Sequence, residues 1–136
     1  MSPPRQLVDT NILVRFFTDN PPEMAGRVRK LVEKADSGEL TLVVFPIIVA
    51  EVFYTLESFY DIERNLVAEK LAAFLKGRGI EVVERERIFE TLKRCREQNA
   101  HFADSYLAAA AIELSEPVAS FDRDFDKFKG VRRIQP

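Results

Sequence analysis

The sequence predicts an α/β fold, a three-layer α/β/α arrangement around a central, mostly parallel sheet, in one domain over residues 1–136. Three observations carry this. Short apolar or β-branched runs at 6–8, 40–45, 80–83, 117–121 and 131–134 are mostly separated by stretches with helical spacing, and strands alternating with helices imply βαβ units with helices on both faces. The run at 40–45, Leu-Thr-Leu-Val-Val-Phe, is almost uninterrupted, which suits a strand covered on both sides. A chain of 136 residues can bury roughly two thirds of its unfolded surface, so it needs no staple to build a core.

Each element follows from local signals. The strand at 6–8 runs into Asp9, and Thr10 or Asn11 is placed to cap a helix that carries Ile12, Leu13, Phe16 and Phe17 at helical spacing. Asp19-Asn20-Pro21-Pro22 ends that helix. A second one from about Glu23 shows Met24, Val28, Leu31, Val32 and Ala35 on one face, with Gly38 at its carboxyl end. After the strand at 40–45, Pro46 suits the first turn of a helix reaching about Phe59. The next helix, at about 63–76, presents Leu66, Val67, Leu71, Phe74 and Leu75 and stops at Gly77-Arg78-Gly79. After the strand at 80–83 come a helix to about Gln98 and another over about 102–114, which contains Ala108 to Ala111. The strand at 117–121, a helical turn at 123–128 and an edge strand at 131–134 complete the chain. No repeat, low-complexity tract or interdomain linker interrupts it.

Composition excludes several classes. One cysteine, Cys95, cannot form an internal disulfide, and with His101 as the sole histidine a Cys/His zinc site lacks ligands. No apolar run is long enough for a signal peptide or a membrane span, so a soluble, cytoplasmic protein with no membrane partner is expected. The net charge of −2 gives no global pull toward nucleic acid. Locally, Arg123, Lys127, Lys129, Arg132 and Arg133 outnumber Asp122, Asp124 and Asp126 over 120–136, and Arg27, Arg29, Lys30 and Lys34 form a second basic cluster. Solvated charged faces explain such clusters as readily as a nucleic-acid surface does. Arg123, Arg132 and Arg133 are the candidate contacts should the partner be a nucleic acid.

Four acids stand out. Asp9 and Asp122 each follow a strand, and in a parallel sheet both emerge at the same edge, where open α/β sheets place their ligand crevice. Glu51 lies in the apolar segment Ile47-Ile48-Val49-Ala50-Glu51-Val52-Phe53-Tyr54, where a carboxylate is expected to be partly withdrawn from water, paired with a cation or put to use. Asp104 opens a helix that continues through Ala108 and Ala111, small residues that allow close packing. Each acid alone has a plain structural explanation, as a cap, an ion-pair member or a first-turn acid. Gathered together they would repel. Two carboxylates about 4 Å apart cost on the order of 4 kcal/mol at an effective dielectric near 20, so a shared pocket calls for protonation or a divalent ion. Oxygen-only donors favour Mg²⁺ or Mn²⁺, and such ions serve phosphodiester hydrolysis.

The segments Val8-Asp9-Thr10-Asn11-Ile12-Leu13, Glu51 in its apolar helix, Phe102-Ala103-Asp104-Ser105-Tyr106-Leu107-Ala108 and Ser120-Phe121-Asp122-Arg123-Asp124-Phe125 resemble the four motifs of the PIN domain family. The short chain is further similar to the VapC-type toxins of prokaryotic toxin-antitoxin pairs. The resemblance spans nearly the whole chain. It implies a parallel five-stranded sheet, an acidic site of Asp9, Glu51, Asp104 and Asp122 holding Mg²⁺ or Mn²⁺, support from Thr10 or Asn11 and from Ser120, and metal-dependent cleavage of RNA. It also implies a homodimer silenced by a cognate antitoxin. Asp124 competes with Asp122 for the fourth place, and Asp122 is preferred because it directly follows the strand.

Two other classes compete. A receiver-like phosphoacceptor module also gathers acids around Mg²⁺, but it needs an acid ending its third strand and a lysine after a later one. Here the chain shows Val83-Glu84-Arg85 and, after Asp122, Arg123. A catalytically silent binding protein on the PIN fold is the other. A Ser/His/Asp hydrolase would have to use His101, which sits just before a helix in a capping or surface position. Surplus aromatics at Phe53, Tyr54, Phe59 and Tyr60 exceed what one helix face buries and suggest a dimer or antitoxin contact.

Overall fold

The structure, a computed structural model, describes residues 2–136; Met1, which heads the amino-terminal stretch searched for a signal peptide, lies outside the described residues. The elements follow the order β1 (Arg5–Leu7), α1 (Thr10–Thr18), α2 (Pro22–Asp36), β2 (Thr41–Val44), α3 (Pro46–Tyr54), α4 (Arg64–Leu75), β3 (Ile80–Val82), α5 (Arg85–Gln98), α6 (Phe102–Leu114), β4 (Val118–Ala119) and β5 (Arg133–Ile134). A π-helical turn, Thr55–Phe59, extends α3, and a 3₁₀ turn, Arg123–Lys127, joins β4 to β5. The mixed α/β class and the parallel strands agree with expectation.

β2 is the central strand of a parallel sheet ordered β1-β2-β3, with Gln6 opposite Leu42 and Leu42 opposite Ile80. Its Leu42, Val43 and Val44 are buried, as an apolar run without alternation requires when both faces are covered. The main core gathers around it: Leu13 from α1, Val49 and Phe53 from α3, Leu71 and Leu75 from α4, Ile88 and Leu92 from α5. The turn into β3 depends on Gly79, which has φ +77°. A Cβ there would lie 2.2 Å from the carbonyl oxygen of Ala35, so the end of α2 packs directly on this backbone.

The five-stranded sheet does not form within the single chain. β4 pairs in parallel with β5 alone, Val118 opposite Arg133, in a separate two-stranded sheet. These strands share a second core, made of Ala100, Ala108, Ala111, Val118, Phe125 and Phe128, with Val131 packed against it. α6 packs along α5 and touches β4, and the link between them is closed by bonds from Ser115 N to Ile112 O (3.2 Å) and from Glu116 N to Ala111 O (2.9 Å). β1 is an exposed edge strand of its sheet, with Leu7 68% exposed.

Candidate functional site

Asp9 is itself the cap of α1, in place of the expected Thr10 or Asn11. Its backbone is extended (φ −94°, ψ 176°) and its carboxylate accepts from Ile12 N at 3.1 Å, because the strand runs one residue less far than the apolar pattern suggests. Asp122 does the same at the other end of the chain, accepting from Asp124 N at 2.8 Å, while its own amide donates to Ser120 Oγ at 2.9 Å. Two strands therefore end in the same device, an exposed aspartate capping the turn that follows. Asp124 lies within the 3₁₀ turn, and Asp126 is held by Arg133.

Glu51 is exposed, contrary to expectation. Val49, Val52 and Phe53 occupy the inward face of α3, and helical spacing turns Glu51 outward with Ile47 and Tyr54, four before and three after it. Asp104 is half-buried in the first turn of α6, where the helix dipole favours an acid. Among the described residues, the ion pairs of the molecule involve other acids, namely Asp19, Glu57, Glu81, Glu84, Glu90, Glu97, Glu113 and Asp126. None of Asp9, Glu51, Asp104 and Asp122 is in an ion pair among the described residues.

Among the described residues no three Asp, Glu, His or Cys side chains come close enough to hold a metal ion. No three-donor cage stands ready among the described residues, yet oxygen donors of this kind suit Mg²⁺ or Mn²⁺, which one or two carboxylates hold together with water.

Of the candidate RNA contacts, Arg133 is committed elsewhere. Its guanidinium grips Asp126 through two bonds of 3.0 and 3.2 Å and donates to Ser120 O at 3.2 Å, tying β5 to the 3₁₀ turn. The pairing holds the Asp126 carboxyl below its ordinary range. Arg123 and Arg132 remain exposed. Arg15, which the sequence analysis did not name, and Arg27, from the second basic cluster, line with Asp9 and Asn11 a groove of about 510 Å³ between α1 and α2. The available signal was spacing, since Arg15 falls one helical turn after Asn11.

A second groove, of about 610 Å³, opens between the start of α3 and α6 and is walled by Phe45, Ile47, Ala50, Phe102 and Leu107. At its border Tyr106 Oη donates to Glu84 Oε1 at 2.5 Å, and Arg87 bonds both Glu84 (3.1 Å) and Glu113 (3.0 Å). His101 caps nothing with its side chain; its ring Nδ1 faces Arg64 at 3.0 Å.

The family model of the PIN domain matches residues 7–131, nearly the whole chain. The chain belongs to the PIN domain family. No curated protein matches this PIN domain. Among solved structures it is similar to one described as the crystal structure of VapBC2 from Rickettsia felis bound to a DNA fragment from their promoter, with 16% identity, a TM-score of 0.39 and coverage of 96% of this chain and 97% of that one. No helix of this PIN domain is long and apolar enough to cross a membrane among the described residues.

Proposed function

We propose that this PIN domain is a ribonuclease that hydrolyses RNA phosphodiester bonds with Mg²⁺ or Mn²⁺, with Asp9, Glu51, Asp104 and Asp122 as its acids, and that it serves as the toxin of a type II toxin-antitoxin pair in the cytoplasm. The observation that carries the reading is the family match over 7–131 combined with four acids at the motif positions that have no ion-pair partner among the described residues. A bound divalent ion would neutralise charge developing on a phosphoryl group.

The chain's own residues supply the remaining parts. Ser120 accepts the amide of Asp122 and orients the turn that presents this carboxylate. Arg15 and Arg27 flank Asp9 and Asn11 in one groove, a place where a phosphate backbone would find positive charge beside the acid. Arg123 and Arg132 add exposed cations next to Asp122 and β5. For a homodimer or an antitoxin the favoured surface is the outer face of α3 and its extension, where Tyr54 is 70% and Phe59 79% exposed.

The test is incubation of structured RNA with the purified chain and Mn²⁺. Discrete cuts abolished by EDTA and by Asp9→Asn are expected. With no three-acid cluster among the described residues, one competing function is a catalytically silent PIN-fold binding protein, and RNA that is bound but never cut by the wild-type chain would establish it. The receiver-like reading has no comparable support, since the matched family is the PIN domain.

A further inference from the structure

Arg64, the first residue of α4, uses every nitrogen of its guanidinium, and on three different parts of the fold. Nε donates to Glu57 Oε2 in the π-helical turn at 2.6 Å, Nη1 donates to the carbonyl of Asn99 at 2.6 Å, and Nη2 stands 3.0 Å from Nδ1 of His101. A guanidinium can only donate, so the ring nitrogen receives this bond. Arg64 and Glu57 are both half-buried, which gives the pair a firmer hold than an exposed one such as Arg29 with Asp19.

The two residues that Arg64 grips beyond Glu57 flank Ala100 in the link between α5 and α6. That link is demanding. Asn99 leaves α5 with a left-handed backbone (φ 50°, ψ 47°), Ala100 turns into the carboxy-terminal core, and Phe102 returns to the main core, its ring 5.5 Å from that of Phe53. α6 then starts at Phe102 without a side-chain cap among the described residues, although the first amides of a helix lack partners inside it and its end frays readily. Packing of Phe102 fixes how deep the helix lies, but apolar burial is non-directional, so the path of the first turn is left to hydrogen bonds.

Arg64 supplies them from outside the helix. By holding Asn99 O and His101 Nδ1 it sets the direction in which the chain enters α6, and the bond from Ser105 N to His101 O, at 3.0 Å, carries that constraint through the first turn. Asp104 lies between these points. We propose that Arg64 is a positioning residue for Asp104, its guanidinium fork locking the link between α5 and α6 so that the first turn of α6 presents the Asp104 carboxylate in one fixed place. The use of Asp104 in cutting rests on the ribonuclease reading; the clamp on the start of α6 does not.

Kinetics of RNA cutting in Mn²⁺ and amide hydrogen exchange test the two parts. Arg64→Lys keeps the charge, but one ammonium cannot span Glu57, Asn99 and His101. A displaced carboxylate lowers the rate without weakening substrate binding, so kcat should fall by about tenfold or more while KM stays within about twofold. His101→Leu removes one acceptor and should lower kcat in the same sense, whereas His101→Asn, whose Oδ1 takes the place of Nδ1, should keep the wild-type kcat only in a chain that retains Arg64. A raised KM with kcat kept would make Arg64 a contact to the substrate and overturn the proposal. So would an unchanged kcat in Arg64→Lys and His101→Leu, a kcat in His101→Asn as low as in His101→Leu, or full activity of His101→Asn without Arg64. In native exchange the Ser105 amide of Arg64→Lys should lose about tenfold more protection than the amides of Ala109 to Ala111 further along α6. Equal losses along the helix, or none, overturn the clamp. Should Arg64→Lys fail to fold, the two His101 variants carry both measurements. An inactive wild type overturns the ribonuclease reading alone and leaves the exchange rates to decide the clamp.

Discussion

Tyr106 and Glu84 are joined by a 2.5 Å hydrogen bond that fastens α6 to the turn after β3. Glu84 adopts a left-handed backbone (φ 56°) at the start of α5, and Arg87 reaches from the next turn to both partners. Burial and the Glu84 carboxylate both push the Tyr106 phenol up, so it remains a donor across the neutral range. This bond helps to determine where the carboxy-terminal unit stands. Tyr106→Phe should cost about 1–2 kcal/mol in urea unfolding, the worth of a partly exposed hydrogen bond to a charged group. A loss below a few tenths would show that packing alone holds α6.

At Asp9 the structural and the functional roles can be separated. Asparagine caps a helix about as well as aspartate, so Asp9→Asn should leave stability within about 0.5 kcal/mol while abolishing cutting; Asp9→Ala should lose the bond to Ile12 N and about 1 kcal/mol as well. Thermal unfolding of both variants beside the RNA assay is the check. Equal stability for the two would remove the cap as an explanation for this residue.

Acid should loosen the last strand before the main core. The Asp126 carboxyl is held below its ordinary 3.8 by the Arg133 guanidinium, so the folded state binds its proton less readily than the unfolded state. The stabilisation is therefore complete above the ordinary carboxylate range and is lost as pH falls through the lowered folded value. Amide signals of Ser120 and Ile134 should shift with that titration in NMR spectra, and Arg133→Gln should move the transition back toward 3.8.

Cys95 should be inert in the native protein. Burial pushes its thiol up to about 11, so almost no thiolate is present at pH 8. Labelling by a thiol reagent should proceed only through unfolding, with a rate that rises in step with urea-induced opening. Rapid labelling of the native chain would place this side chain outside the core.

Gly79→Ala should be among the most damaging single changes. The residue has φ +77°, and the added Cβ would collide with the Ala35 carbonyl. Strain of this kind costs about 1–3 kcal/mol before the displacement of α2 is added. By contrast Gly26→Ala, where a Cβ meets only the far end of Arg29 at 3.6 Å, should be neutral or stabilising. Parallel melting curves would compare them.

By itself the sequence determined the helices, the buried run of β2, the α/β class and the family, because periodicity and caps act over a few residues and leave a mark in each segment. It also named the acids that the molecule leaves unpaired. Side-chain order could not decide that Glu51 points outward, since apolar neighbours on both sides conceal which face of α3 packs inward. Nor could it show that Arg15 and Arg27 share a groove with Asp9, or that Arg133 is spent on Asp126. Above all, the partner of each strand edge was settled only in three dimensions. Backbone N–H and C=O groups are the same in every residue but proline, so a strand carries no label for its neighbour, and only the tertiary structure decided that β4 pairs with β5 while β1 pairs with β2.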